Sequence, residues 1–230
     1  MRNGKRKRIL VIDVGGTHVK VLATGHRKHR AIPSGPKMTA RRMAAAVRKA
    51  TADWKFDAVT IGYSGPVVHN RIVCEPHNLG GGWVGFDFER AFGRPVKIVN
   101  DAAMQALGSY KGGRMLFLGL GTGLGSALIV DGVLEPMELA HLPYRKGRTY
   151  EEYVGLAGLK RLGKKKWRDH VVDVAKKLKA ALQTEYVVLG GGNARLLKKL
   201  PASMRPGDNA CAFAGGFRLW RDKGKHHGSR

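Results

Sequence analysis

Asp13 and the turn that follows it are the first residues in the chain whose types and spacing suit chemistry. Residues 9–12 are apolar and rich in β-branched side chains, which predicts a buried strand, and Gly15, Gly16 and Thr17 follow that strand. Glycines let backbone N–H groups approach an anion, and the Thr17 hydroxyl adds a donor. Asp13, at the strand end, could hold a hydrated magnesium ion against a phosphate. An ordinary Gly-Gly hairpin has the same pattern, so this turn alone leaves both interpretations open.

A second turn of the same kind lies 106 residues further along the chain. Gly121, Thr122 and Gly123 stand between two apolar runs, and the offset aligns Gly15 with Gly121. Neither turn is a Walker loop, because no Gly-Lys-Ser/Thr follows. Two such turns in the two halves of one chain favour duplicated domains that face each other over a phosphate chain.

A third glycine turn follows a predicted strand over residues 186–189. Gly191 and Gly192 lie in this turn, and a helix is predicted after it, over residues 194–200. The N-terminus of a helix attracts anions, so this turn is a third candidate phosphate contact. Lys20, in the strand after the first turn, is a further candidate.

Asp101 is a carboxylate placed where α/β proteins bind ligands. It follows Asn100 at the end of a predicted strand over residues 95–99 and precedes a predicted helix over residues 102–109. Side chains at such strand ends point into the crevice where α/β proteins bind ligands. An Asp at this point also suits a helix N-cap, and Asp101 can serve both purposes.

The elements that must position these residues form two similar halves. The first half has predicted strands over residues 8–14, 18–24, 26–32 and 58–61 and a helix over residues 40–52, and the second has strands over 114–119 and 124–130 and a helix over 164–182. A loop with three glycines, residues 76–83, interrupts the first half and suits a ligand-covering loop or a flexible connection. The sequence therefore predicts an α/β, duplicated ribonuclease-H-like fold, with lobes at residues 1–109 and 110–230 and a cleft between them.

The charge of the chain is extreme. Among 230 residues there are 42 Lys and Arg against 17 Asp and Glu, a net charge of +25. Such a field attracts polyanions, including nucleic acid, polyphosphate and anionic membranes, although a surface bias without a partner explains it equally well. With only Cys74 and Cys211, the chain is not a disulfide scaffold, and a reducing cytoplasm fits. No apolar run approaches the length of a membrane span, so no membrane partner is expected.

Taken together, the motifs resemble the ROK family of sugar kinases, within the sugar kinase, hsp70 and actin superfamily, and in particular its polyphosphate glucokinase branch. The matching pieces occur in the family order over residues 9–217. They are Asp13 with its Gly-Gly-Thr turn, Asn78-Leu79 with Trp83, Asn100-Asp101-Ala102-Ala103, the turn at residues 121–126, Glu138-Leu139-Ala140-His141, Glu151 with Tyr153, the glycines at residues 190–192, and Asn209-Ala210.

The resemblance implies phosphoryl transfer to a sugar, with Asp101 as the general base on the 6-hydroxyl of glucose or a similar hexose. The donor would be polyphosphate or ATP, with Mg²⁺ as the cofactor. Five residues would hydrogen-bond the other sugar hydroxyls: Asn78, Asn100, Glu138, His141 and Glu151.

The sequence departs from the family pattern in three places. The family's cysteine-rich zinc run is absent, and residues 145–149 stand there without a cysteine, so we expect a plain loop and no zinc. No helix-turn-helix precedes Asp13, which removes the repressor members of the family. The C-terminal nucleotide lobe is short, which weakens the case for adenine binding and favours polyphosphate.

Two other classes of function stay open at this stage. A non-catalytic sugar- or polyanion-binding protein could keep the same fold, although it would have no need of Asp101. A nucleic-acid binder would explain the charge, but no nucleic-acid motif is present and the lysines are scattered. The sequence leaves a homodimer open.

Overall fold

The computed structural model describes residues 7–208 and 210–221. These residues divide into two compact units, one of residues 7–99 with 216–221 and one of residues 100–215. The predicted boundary between residues 109 and 110 is therefore displaced, because the helix Asp101–Ser109 packs on strands of the second unit. Most of the predicted basic arm (residues 1–6), most of the tail (222–230) and Asn209 lie outside the described residues.

The first unit is built on one five-stranded sheet. Its strands are β1 (Ile9–Val14), β2 (His18–Ala23), β3 (Arg30–Pro33), β4 (Ala58–Tyr63) and β7 (Val96–Asn100), in the order β3-β2-β1-β4-β7. The unit also contains a small hairpin, β5 (Val67–Val68) with β6 (Arg71–Ile72), and two helices, α1 (Ala40–Ala50) and α2 (Phe88–Phe92).

Local chemistry explains how α1 forms and which of its faces is buried. The Thr39 hydroxyl accepts a hydrogen bond from the backbone N–H of Arg42, as predicted for the N-cap. Met43, Ala44 and Val47 are buried at helical spacing against the sheet. The helix ends at Ala50, two residues before the predicted end.

The second unit repeats the arrangement of the first. Its sheet consists of β8 (Arg114–Leu120), β9 (Leu124–Val130), β10 (Val133–Met137), β13 (Tyr186–Gly190) and β14 (Met204–Pro206), in the order β10-β9-β8-β13-β14. The remaining elements are a hairpin, β11 (Pro143–Arg145) with β12 (Arg148–Thr149), and the helices α3 (Asp101–Ser109), α4 (Tyr150–Val154), α5 (Leu156–Ala181) and α6 (Cys211–Arg218).

The two sheets share one topology. In each, the first strand pairs antiparallel with the second and parallel with the fourth, and the third strand lies at the edge beside the second. The strand register agrees with the offset of 106 residues seen in the sequence. Asp13 lies opposite Gly62 of β4, and the equivalent residue of the second sheet, Gly119, lies opposite Gly190 of β13. The predicted α/β, duplicated ribonuclease-H-like fold is confirmed.

Two predicted elements differ in the structure, and a third is preceded by a helical segment that was not predicted. The helix expected over residues 194–200 is a single 3-10 turn, Ala194–Leu196, because Leu197 adopts an extended backbone. The helix predicted over residues 164–182 is the second part of α5, which starts after Gly163, whose φ of 73° interrupts the helix, and the first part, from Leu156, was not predicted. The segment expected to be a plain loop, residues 145–149, forms most of the β11–β12 hairpin.

The chain returns to the first unit near its end, within α6. The buried Thr60 side chain of β4 donates a hydrogen bond to the carbonyl oxygen of Gly216, 2.8 Å away, and accepts one from the indole of Trp220 at 2.9 Å. A side chain at Gly216 would overlap Val11 of β1. The last described residues therefore pack against the sheet that contains the first described strand. In the described part of the chain, no helix has both the length and the apolar character needed to cross a bilayer.

Candidate active site

The first glycine turn is closed by its own backbone. The N–H of Gly15 donates to the carbonyl oxygen of His18 at 3.0 Å, and a Cβ at Gly15 would lie 2.8 Å from that oxygen. The carbonyl of Thr17 accepts a further hydrogen bond from the backbone of Ser34, at 2.9 Å. Gly16 and Thr17 stay exposed at the tip, where an anion can reach them.

Asp13 is paired across the hairpin with Lys20, its register partner. Burial raises the pKa of the Asp13 carboxyl, and the nearby positive charges of Lys20 and His29 oppose that rise. A carboxylate withdrawn from water gains from a bound cation, so Asp13 fits a magnesium ion held through water. With one carboxylate here, substrate phosphates and water would supply the other ligands.

The glycine-rich loop after β6 is tied down and is not a flexible connection. The Glu75 carboxylate accepts hydrogen bonds from the backbone N–H groups of Trp83 and Val84, at 3.1 and 3.0 Å. The indole N–H of the buried Trp83 donates to the carbonyl of Gly80 at 2.6 Å, and the N–H of Gly80 donates to Met38. The loop is therefore a fixed support for whatever its polar residues bind.

This loop brings Asn78 to the first glycine turn. A Cβ on Gly16 would lie 3.6 Å from the Cβ of Asn78, and both residues line a cavity of about 80 Å³. Ser64 and His77, which the sequence analysis did not select, line the same cavity. The available signal was the position of Ser64 directly after the buried strand β4 and of His77 beside Asn78.

The N-cap of helix α3 is Asn100, and not Asp101 as was thought possible from the sequence. The Oδ1 atom of Asn100 caps α3 by accepting hydrogen bonds from the backbone of Ala102 and Ala103, at 2.9 and 3.2 Å. Asp101 is the first residue of the helix, and its Oδ1 accepts from Ala102 at 2.7 Å. Because Asn100 is the cap, the Asp101 carboxylate is held at the helix N-terminus, where negative charge is stabilised.

Glu138 and His141 form an exposed pair. The Nε2 atom of His141 is 3.9 Å from Oε1 of Glu138, and their side chains are 75% and 71% exposed. Leu139 and Ala140 between them are buried, and the N–H of Leu139 donates to the hydroxyl of Ser126 at 3.2 Å. The buried pair anchors the segment and leaves the two polar side chains accessible to a ligand.

Glu151 connects this segment to the second glycine turn. Its N–H donates to the carbonyl of Ala140 at 3.0 Å, and its Oε2 accepts from the backbone N–H of Leu124 at 3.0 Å. A Cβ on Gly123 would overlap the same carboxylate. One carboxylate oxygen of Glu151 thus accepts a hydrogen bond from the second glycine turn and helps to hold its conformation.

The third glycine turn packs on the second. The backbone N–H of Asn193 donates to Leu120 and its side-chain amide donates to Gly121, both at 2.9 Å. Gly191 has a φ of 83°, and a side chain there would lie 2.6 Å from the Leu120 carbonyl oxygen. Gly192 is exposed beside it. Asn193, which links the two turns, was quoted in the sequence but not selected as a site residue.

The candidate residues therefore fall into two groups, one in each unit. The first unit brings together Asp13, Gly15, Gly16, Thr17, Lys20 and Asn78. The second unit brings together Gly121, Thr122, Gly123, Glu138, His141, Glu151, Gly191 and Gly192, with Asn100 and Asp101 at the start of α3.

Among the described residues, no group of three or more His, Cys, Asp or Glu side chains could hold a metal ion. Both cysteines, Cys74 and Cys211, are free thiols. The expectation that the protein carries no zinc stays a prediction, which elemental analysis of the purified protein can test.

Two sheets of this topology, each with a glycine turn after its first strand, form a duplicated ribonuclease-H-like fold. Residues 9–135, more than half of the chain, match the sequence model of the ROK family. The chain therefore belongs to the ROK family, as its motifs indicated. No curated protein sequence gives a significant match.

Solved structures share the fold over nearly the whole chain. One is an inorganic polyphosphate/ATP-glucomannokinase from Arthrobacter sp. strain KM, 24% identical, with a TM-score of 0.76 over 93% of this chain and 98% of that one. A ROK hexokinase from Thermus thermophilus is 22% identical, with a TM-score of 0.68 over 91% and 97%. A ROK family glucokinase from Streptomyces griseus, in complex with glucose and AMPPNP, is 17% identical, with a TM-score of 0.68 over 92% and 98%.

Proposed function

We propose that this ROK family protein is a sugar kinase that transfers a phosphoryl group to the 6-hydroxyl of glucose or a similar hexose. The observation that carries the proposal is the Asp101 carboxylate, held at the first residue of α3 by a helix that Asn100 caps. A binding protein needs no carboxylate held in this way. Asp101 would accept the proton of the attacking hydroxyl as a general base.

The other candidate residues supply positioning and charge neutralisation, which phosphoryl transfer mainly requires. In this proposal the exposed tips of the first two glycine turns, at Gly16 and Thr122, donate backbone N–H groups to the phosphates of the donor. Asn78, Asn100, Glu138, His141 and Glu151 orient the sugar. Magnesium, when bound through water at Asp13, neutralises phosphate charge.

Polyphosphate is the donor that we favour. The element after the third glycine turn is a single 3-10 turn, Ala194–Leu196, where a longer helix was expected, so less structure is available there to hold an adenine. The net charge of +25 suits a polyanionic donor, and one protein with the same fold is named as a polyphosphate/ATP enzyme. ATP stays the alternative donor.

The test is to incubate purified protein with glucose and magnesium, with polyphosphate and ATP as donors in parallel. We expect turnover with polyphosphate, and an apparent affinity for polyphosphate that falls steeply between about 50 and 200 mM salt while that for glucose does not. Robust turnover with ATP alone would refute the choice of donor. Glucose binding without turnover on either donor would indicate a non-catalytic sugar-binding protein.

The proposed base is tested by Asp101→Asn, which keeps the Oδ1 acceptor for Ala102 but cannot take a proton. We expect kcat to fall by about 10²–10⁴-fold with little change in glucose affinity. Asp131→Asn, in an exposed turn, is the matched control. Equal turnover of Asp101→Asn and the native protein would remove Asp101 from the mechanism.

We also propose that the protein works in the cytoplasm, which the two free thiols support. A homodimer stays a prediction that sedimentation equilibrium can test.

A further inference from the structure

The β11–β12 hairpin joins the two parts of the candidate sugar site. The hairpin follows His141 in the sequence and is followed directly by α4, which carries Glu151. Two backbone hydrogen bonds close its base, from Tyr150 to Leu142 and from Glu151 to Ala140, both at 3.0 Å. Any movement of the hairpin is therefore transmitted to residues on both sides of it.

One side chain of this hairpin, Tyr144, is attached to helix α5. Its hydroxyl donates a hydrogen bond to Oδ2 of Asp173 at 2.6 Å and lies 3.0 Å from Nδ1 of His170. A phenol has a single O–H group, and Tyr144 donates it to the carboxylate. In the second contact the phenol oxygen therefore accepts, and Nδ1 of His170 is the donor. The hydroxyl is thus held from two sides by two residues of one helix.

Two positively charged side chains also contact the Asp173 carboxylate beside Tyr144. Arg145 of the hairpin and Lys177 of α5 lie 3.1 and 3.2 Å from Oδ2 of Asp173. The hydrogen bond from Tyr144, together with Lys177, lowers the pKa of Asp173, so this carboxylate stays charged. A charged acceptor makes the bond from Tyr144 stronger than one between neutral groups.

The ring of Tyr144 also contacts α4. It packs edge-on against Tyr153, with ring centroids 4.9 Å apart, and lies 5.3 Å from the ring of Tyr150. Tyr150 and Tyr153 flank Glu151 on this short helix. Tyr144 therefore connects three elements: the hairpin, the helix that carries Glu151, and α5.

We propose that Tyr144 is a positioning residue for the sugar site. Held between Asp173 and His170, it fixes the hairpin and α4, and through them Glu138, His141 and Glu151, in the conformation that binds a hexose. None of these contacts needs the phosphoryl donor or a metal ion. The effect on catalysis rests on the proposed function, whereas the effect on the hairpin does not.

The test is Tyr144→Phe, which removes the hydroxyl and keeps the ring. Its matched control is Tyr186→Phe, because the Tyr186 hydroxyl also makes two hydrogen bonds in this unit, to Lys111 and Gly112, far from the hairpin in the sequence. We expect Tyr144→Phe to speed amide exchange over residues 138–151 and to raise the calorimetric Kd and the KM for glucose, each by about tenfold. The kcat should change less than about threefold, and Tyr186→Phe should change none of these values.

The outcomes separate this inference from the proposed function. Unchanged exchange over residues 138–151 overturns it, and so does faster exchange with unchanged glucose affinity. If the protein binds glucose but transfers no phosphoryl group, the proposed function fails, while exchange and calorimetry still decide the role of Tyr144. A protein that binds no hexose overturns both.

Discussion

Glu151 and Gly123 are in direct contact. The Glu151 carboxylate accepts the backbone N–H of Leu124 at 3.0 Å, and a side chain on Gly123 would overlap its Oε2. A residue that the motif assigns to the sugar thus also shapes the turn assigned to the phosphate donor. A substitution at Glu151 should therefore alter the turn at Gly123, and a substitution at Gly123 should alter the position of Glu151.

Gly123→Ala should displace the Glu151 carboxylate. We expect a loss of about 1–3 kcal/mol in the free energy of unfolding, since the displaced carboxylate no longer accepts the N–H of Leu124, together with weaker glucose binding. Gly121→Ala is the stability control, because a Cβ there meets no atom within 4 Å. Denaturant titration of both variants is the measurement, and equal stabilities would argue against the contact.

Two substitutions at Asn100 separate its cap from its expected contact with the sugar. Asn100→Ala should lose about 1 kcal/mol of stability and much of kcat, because α3 and Asp101 lose their anchor. Asn100→Asp keeps the capping oxygen and removes the amide donor, so it should keep stability and raise the KM for glucose. If Asn100→Asp kept the native KM, the amide would have no part in sugar binding.

Asp13→Asn should stabilise the protein at neutral pH while impairing turnover. Burial raises the folded-state pKa of Asp13, so its contribution to stability is present below the ordinary pKa near 3.9 and is lost as the pH rises through the folded value. The gain from the substitution should therefore shrink as the pH falls through the folded value and be absent below about 4. Thermal unfolding at several pH values measures it.

Asp53→Asn is the control of opposite sign. Arg30 holds the pKa of Asp53 at about 2, so this substitution should destabilise the protein at neutral pH, and the difference should fade only as the pH approaches that value. If both variants shifted stability in the same direction, burial would not dominate at Asp13.

His170 should make stability depend on pH in a different range. Burial, assisted by Arg145, lowers its pKa below the ordinary 6.5, so its contribution is present above that value and is lost as the pH falls through the folded pKa. The other charged or titratable groups around it are Tyr144, Tyr153, Arg161, Asp169 and Asp173.

His170→Asn keeps a side-chain amide donor near Tyr144 and cannot take up a proton. We expect this variant to lose less stability than the native protein between about pH 7 and pH 5. His69→Asn, in an exposed turn, is the control and should follow the native profile. Identical pH profiles for the native protein and His170→Asn would contradict the prediction.

Strongly patterned elements could be predicted from the sequence. The buried strands β1, β4 and β8 are nearly continuous apolar runs, and the offset between Gly15 and Gly121 predicted the repeated sheet. The short strands β11, β12 and β14 were missed, because strands of two or three residues carry no periodic signal. The helix expected over residues 194–200 failed because tertiary contacts of the third glycine turn outweigh helix propensity there.

The candidate site residues could be predicted from their types and motifs, but the contacts that hold them in place could not. The motif located Asp101 and Glu151, but the sequence did not show that Asn100 caps α3 or that Glu151 bonds to Leu124. Such contacts join segments distant in the chain and depend on the register of the sheets. Ser64 and His77 were missed for the same reason, since only the folded loop brings them beside Gly16.

The hydrogen bonds between Thr60 and residues 216–220 have a consequence for the order in which the protein is made. The second unit is an insertion in the first, since the chain enters it after residue 99 and leaves it before residue 216. On the ribosome, most of the first sheet emerges early, but the partners of its buried Thr60 are synthesised only after the second unit. The buried Thr60 side chain of the first sheet can therefore form its hydrogen bonds only after the whole inserted unit has been made. A chain truncated before Gly216 would lack these contacts, so the truncation would destabilise the first unit.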